Sequence, residues 1–197
     1  MNANGVLPPN FELIQGGLQR ETSFGPLRIV AARESVPPFR VRAMVFEEDT
    51  WLVMSAAPTI CEPEVHPIRL MTDVINAEPE PVGSVLVKKG HPLRFLAVVH
   101  DVNQEPTWKE TWIERALIRV FQEAELNHIP SIGLPLLGTQ HGRLEKFRFI
   151  ALLAAVLKQT DIHHLRQLWL IVPPKAGSEI INALEAQLNS TQSIRAD

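Results

Sequence analysis

The sequence predicts an α/β protein, a three-layer α/β/α arrangement whose mixed sheet carries extra N-terminal strands. From residue 84 to residue 188, short apolar runs typical of buried strands alternate with longer segments that have apolar residues at helical spacing. Glycine and proline lie between these segments and indicate where they end. Strands that alternate with helices pair mostly in parallel and are covered by those helices, so the order of the segments favours this class.

The N-terminal half of the chain predicts several short strands. Apolar side chains alternate with arginine and methionine from Phe39 to Val45, which indicates a half-buried strand. A short helix is expected at 67–75, where Ile68, Met71 and Ile75 fall on one helical face. The strands expected in this half are 11–14, 27–31, 39–46 and 51–54.

The C-terminal half predicts a regular alternation of strands and helices. Thr107 is expected to cap the first of these helices, and Glu110 to complete a capping box. The apolar stripe of this helix consists of Ile113, Ala116, Leu117, Val120, Phe121 and Ala124. The other elements expected are strands 84–87, 93–100, 131–137 and 168–172 and helices 144–158 and 178–188.

The composition indicates one packed domain and excludes several classes of function. The chain has 197 residues, of which 45% are hydrophobic and 21% charged, enough for one core. We therefore expect an N-terminal extension over 1–38, a domain over 39–189 and a polar tail over 190–197. The net charge of −3 and the scattered basic residues argue against nucleic-acid and membrane partners.

Cysteine content and the N-terminus indicate a cytoplasmic protein without a metal or cofactor. Cys61 is the single cysteine, so it has no partner for an intramolecular disulfide or a paired metal-ligand motif. The first residues show no charged leader followed by an apolar run. His163 and His164 lie near Asp161, but their spacing matches no known metal motif, and we expect them to be solvated. Three tryptophans are expected to pack in the core: Trp108, Trp112 and Trp169.

Three loops are candidates for a ligand site. In an open α/β sheet, ligands bind beyond the carboxyl ends of the parallel strands, where the following helices present their amino ends. The loops that meet this condition follow the strands expected at 51–54, 93–100 and 131–137. The candidate ligand-binding residues are Ser55, Ala56, Ala57, Asp101, Asn103, Gly138, Thr139, Gln140, His141, Gly142 and Arg143.

The loop at 138–142 is the strongest of these candidates. Gly138 and Gly142 allow backbone N–H groups to approach an anion at the positive end of the next helix, which favours a phosphate. Thr139 would add a hydroxyl donor, and His141 or Arg143 a positive charge. The alternative is that the two glycines serve only a tight turn between strand and helix.

These residues resemble the macro domain, a family that typically binds ADP-ribose and sometimes hydrolyses its linkages or related phosphoesters. The apolar strand 93–100, which ends in His100, is similar to a family strand that ends in Ile-His. The run 131–139, Ser-Ile-Gly-Leu-Pro-Leu-Leu-Gly-Thr, is similar to the family's Ser-Ile-Ala-Phe-Pro-x-x-Gly-Thr strand and phosphate loop. The resemblance covers residues 40–189 and implies ADP-ribose or a related phosphorylated small molecule as the partner.

The resemblance is incomplete on the opposite wall of the site. Where the family has Val-Asn-Ala-Ala-Asn, this chain has Val-Met-Ser-Ala-Ala-Pro at 53–58, so Ser55 and Pro58 replace two asparagines. The family's glycine run is replaced by a segment that contains Glu62 and Glu64. Three functions are compatible with this pattern: a ligand-binding module, a scaffold that has lost its ligand and acts through protein contacts or homo-oligomerisation, and an ADP-ribosyl or phosphoester hydrolase.

Overall fold

The computed structural model describes residues 20–54 and 78–190, which form one seven-stranded sheet and three helices. The strands are β1 (Arg20–Phe24), β2 (Leu27–Ala32), β3 (Ala43–Asp49), β4 (Val85–Lys88), β5 (Leu93–His100), β6 (Ser131–Pro135) and β7 (Gln167–Ile171). The helices are α1 (Glu110–Leu126), α2 (Lys146–Gln159) and α3 (Gly177–Asn189). The strand order is β1-β2-β7-β6-β3-β5-β4.

The sheet is mixed, which confirms the predicted fold class. Its five inner strands β2, β7, β6, β3 and β5 run parallel, and an antiparallel strand pairs at each edge, β1 with β2 and β4 with β5. The carboxyl ends of the five parallel strands therefore lie at one edge of the sheet. At that edge β3 lies between β5 and β6.

The core lies mainly on the sheet face that the three helices cover. Buried residues of all three helices and of the five parallel strands form one apolar cluster, and the predicted stripe of α1 is fully buried within it. A smaller cluster of Ala32, Val41 and Trp169 lies apart from this core. Trp112 and Trp169 are buried, as expected, and Trp169 Nε1 donates to the Ala32 carbonyl at 3.0 Å.

Several boundaries differ from the prediction. No strand forms at 51–54, because β3 extends to Asp49 and the chain then turns, with Leu52 at a φ of 58°. Thr107 does not cap α1: Lys109 is the N-cap residue without a side-chain bond, and the Glu110 carboxylate pairs with Arg148 instead. Strand β1 is polar, and its sequence gave no apolar signal. The strand expected at 11–14, the helix at 67–75 and most of the tail lie outside the described residues.

The Glu125 carboxylate joins the end of α1 to the turn that precedes β7. It accepts backbone N–H bonds from His163, His164 and Leu165 at 2.9–3.1 Å, and the His164 ring nitrogen Nδ1 lies 3.0 Å away. Burial acts to raise the pKa of Glu125, but these hydrogen bonds together outweigh it and lower the pKa to about 2. The histidine pair predicted to be solvated is exposed, and its backbone is fixed by this carboxylate.

Glu125→Gln should therefore destabilise the protein in a pH-dependent way. Since the pKa is lower in the folded state than its ordinary value of 4.5, the carboxylate contributes stability above pH 4.5 and loses it as the pH falls towards 2. We expect a loss of about 1–3 kcal/mol at pH 7 and a smaller loss at pH 3, measured by urea unfolding. Glu114→Gln, on the same helix, is the control. An equal loss at both pH values would contradict this role of the charge.

Candidate functional site

The candidate site lies at the carboxyl ends of β3, β5 and β6. Strand β3 ends in three consecutive acidic residues, Glu47, Glu48 and Asp49, and β5 ends in His100. Glu48, Asp49 and His100 are almost completely buried, and only 9% of the Glu47 side chain is exposed. Buried acids need hydrogen-bond donors, so the partners of these carboxylates determine how the crevice is built.

Glu47 connects three elements at the centre of this edge. One carboxylate oxygen, Oε1, is hydrogen-bonded to His100 Nε2 on β5, and the other, Oε2, accepts the Gly138 N–H at 2.9 Å. The Gly138 N–H belongs to the loop expected to hold a phosphate. The first N–H group of that loop is therefore already bonded to a carboxylate of the protein itself.

The other two acids fold the chain that follows β3. Asp49 Oδ1 accepts the Trp51 N–H at 2.6 Å, and Glu48 Oε2 accepts the Met54 N–H at 3.1 Å. These bonds hold residues 50–54 in a turn, which explains why the apolar run predicted as a strand is not one. Val53, expected inside that strand, is 62% exposed. The ligand residues Ser55, Ala56 and Ala57, predicted after it, lie outside the described residues.

The loop after β6 is compact and closes on itself. The Leu144 N–H donates to the Gly138 carbonyl at 2.9 Å, and the N–H and hydroxyl of Thr139 both donate to the Leu136 carbonyl. A Cβ at Gly138, where φ is 76°, would clash with Ile113 Cδ1 of α1. A Cβ at Gly142 would lie 2.7 Å from both the Gly138 carbonyl oxygen and the Trp108 ring. Both glycines are therefore required by packing.

The outer part of this loop retains free donors. Within residues 20–54 and 78–190, the N–H groups of Gln140, His141, Gly142 and Arg143 have no acceptor. The side chains of Gln140, His141 and Arg143 are exposed, and Arg143 has a φ of 58°. Successive backbone donors beside basic side chains are the arrangement that binds anions.

The amino end of α2, expected to face the phosphate, is occupied by the protein itself. Glu145 is the N-cap residue, and its Oε2 accepts the N–H groups of Phe147 and Arg148 at 2.9 and 3.0 Å. This carboxylate satisfies two of the donors that a helix terminus leaves open. Any anion at this loop would thus depend on residues 140–143 and not on the helix terminus.

The loop after β5 lies at the same edge of the sheet, but its acid is bonded within the loop. Asp101 Oδ1 accepts the Asn103 N–H at 3.0 Å, and Oδ2 accepts Gln104 Nε2 at 2.6 Å. The Asp101 N–H donates to the Thr107 carbonyl, which closes the loop. The Asn103 side chain is exposed. Between the two loops, the rings of His100 and His141 meet edge to face with centroids 6.3 Å apart.

Glu47, Glu48 and Asp49 are not among the ligand-binding residues predicted from the sequence. They form three consecutive acids directly after an alternating run. The strand was expected to end at residue 46, whereas β3 extends through these acids to Asp49, and their side chains are largely buried. No group of three or more His, Cys, Asp or Glu residues within the described ranges has the geometry of a metal site. In these ranges no helix is long and apolar enough to span a membrane.

The strand order and the crevice identify the class of fold, and comparison with solved structures agrees. The macrodomain of Oceanobacillus iheyensis with ADP superposes with a TM-score of 0.61 at 12% identity, over 87% of this chain and 95% of that one. A glycine-to-valine variant of that protein with ADPR gives 0.58 at 14% identity, over 86% and 96%. The macrodomain of Thermus aquaticus DarG gives 0.54 at 17% identity, over 74% and 98%.

The chain has the macrodomain fold, as its resemblance to that family predicted. Its sequence is far from those of the matched structures, and neither a family model nor a curated protein matches it. The site must therefore be interpreted from this chain's own residues.

A double-mutant cycle tests the packing that shapes the loop. We expect Gly138→Ala to cost about 2–4 kcal/mol, because it combines a positive φ with a clash against Ile113. Ile113→Val removes the clashing Cδ1 atom and should cost about 0.5–1.5 kcal/mol alone. The double variant should lose less than the sum, as measured by urea unfolding. Gly25→Ala, with a φ of 54° and open space, is the control and should cost about 1 kcal/mol. Additive losses would refute the clash.

Proposed function

We propose that this protein binds ADP-ribose or a related phosphorylated small molecule, with a phosphate on the outer loop 140–143. The observation that carries the proposal is the run of four backbone N–H groups that have no acceptor among the described residues. They lie at the carboxyl edge of the parallel strands, beside the exposed side chains of His141 and Arg143. Structures of the same fold with ADP and with ADPR support a ligand of this class.

The phosphate would be held differently from the expectation based on sequence. Gly138 and Thr139 are internally bonded, so among the predicted ligand residues Gln140, His141, Gly142 and Arg143 remain as donors. Asp101 and Asn103 form the neighbouring loop, where the exposed Asn103 amide would meet a sugar hydroxyl. Backbone donors give the phosphate its position, and the Arg143 guanidinium adds positive charge.

A thermal shift with ADP-ribose tests the proposal. At 100 times its Kd, a ligand that binds only the folded state adds about 2.7 kcal/mol to the free energy of unfolding. Arg143→Glu places a negative charge beside the loop and should weaken binding at least about tenfold. Arg119→Glu changes an exposed arginine near the middle of α1, which is not part of the loop, and should leave binding unchanged. Wild-type protein that shows no shift with millimolar ADP-ribose, ADP or NAD would refute the proposal.

A second candidate function is a scaffold that has lost its ligand. It is favoured by the two carboxylates that occupy donors expected for a phosphate: Glu47 on the Gly138 N–H and Glu145 on the amino end of α2. A scaffold of this kind would form an oligomer or a complex with an interface above about 1,000 Å². Sedimentation analysis that finds a stable oligomer, together with no ligand-induced shift, would favour this function over binding.

A further inference from the structure

Glu47 is a buried acid that is not among the predicted site residues and has no role in the proposed function. Glu47 reaches from β3 to the loop, where its Oε2 accepts the Gly138 N–H at 2.9 Å. The Leu144 N–H bonds to the carbonyl of the same Gly138, so residues 139–143 form one short loop that is closed at the residue bonded to the carboxylate. The four free N–H groups are therefore two to five residues from the N–H that Glu47 accepts.

We propose that Glu47 is the specificity-determining residue of this loop: it selects phosphates with one negative charge each, as in a phosphodiester or a substituted pyrophosphate, over terminal phosphate dianions. The inference rests on the proposed function and concerns the class of ligand. Glu47 does not touch the ligand, because its oxygens are bonded to His100 and Gly138. It acts through its charge.

The environment of Glu47 preserves the effect of that charge. The side chain is 9% exposed, so water and salt screen it far less than a surface carboxylate. The Gly138 N–H supplies a dipole and no net charge. The neighbouring acids Glu48 and Asp49 are also buried at this strand end.

Coulomb's law gives the size of the discrimination. Two unit charges about 7 Å apart near a protein surface, with an effective dielectric constant of about 20, repel by an amount equal to roughly 50-fold in affinity. A monosubstituted terminal phosphate carries close to two charges above pH 7, whereas a phosphate esterified on both sides carries one. The second charge of a terminal phosphate is therefore repelled by Glu47. After partial screening we expect about tenfold weaker binding of a terminal phosphate than of a phosphate with one charge.

Titration calorimetry at pH 8 with two matched ligands tests the inference. ADP and its β-methyl ester differ by one methyl group and one negative charge. Wild-type protein should bind the ester about tenfold more tightly than ADP. Glu47→Gln retains an oxygen acceptor for the Gly138 N–H and removes the charge, so it should bind both ligands within about twofold of each other. Glu114→Gln, which removes a charge from α1, should retain the wild-type ratio.

The outcomes separate this inference from the proposed function. If wild-type protein and Glu47→Gln bind neither ligand nor ADP-ribose, the proposed function fails. If wild-type protein binds ADP as tightly as the ester, or if Glu47→Gln retains the tenfold ratio, only the role of Glu47 is overturned. Even if Glu47→Gln does not fold, the wild-type protein can overturn the inference, because equal binding of the two ligands excludes selection by charge.

Discussion

The hydrogen bonds of Glu47 are the interaction on which the candidate site depends. A carboxylate with so little exposure requires donors on both oxygens, and here they come from β5 and from the loop after β6. These two elements are distant in sequence and meet only because β3 lies between β5 and β6 in the sheet. The strand order thus places one acid where it can fix the histidine at the end of β5 and the start of the loop together.

Once Glu47 holds Gly138, packing determines the rest of the loop. Gly138 lies against Ile113 and Gly142 against Trp108, so neither position has room for a side chain. The N–H of Gly138 is bonded to Glu47, and the N–H and hydroxyl of Thr139 are bonded to the Leu136 carbonyl. Glu145 accepts the first N–H groups of α2. The free donors are consequently displaced outward to residues 140–143. Local packing and internal charge together decide which backbone donors of the loop remain unbonded.

The sequence predicts this fold well where its patterns are long and periodic, and less well at the site. Strand β5 has the predicted bounds and α1 the predicted buried stripe, because apolar periodicity reflects burial directly. Residues 51–54, which lie in the turn at 50–54, were predicted as a strand because they are apolar. The carboxylates that bend this turn are in side chains whose direction the sequence does not give. Partners of buried acids are set by long-range strand pairing, which no local pattern encodes.

The glycines of the loop carry less functional meaning than their sequence spacing indicated. Each is explained by a close contact with a side chain of the segment 108–113, so a turn with two glycines would be needed here with or without a ligand. Binding is supported instead by groups that packing does not explain, the unbonded N–H groups of residues 140–143 and the exposed side chains beside them. Because the loop that carries those groups begins at Gly138, whose N–H is bonded to a buried carboxylate, charge becomes the property that distinguishes one phosphate ligand from another.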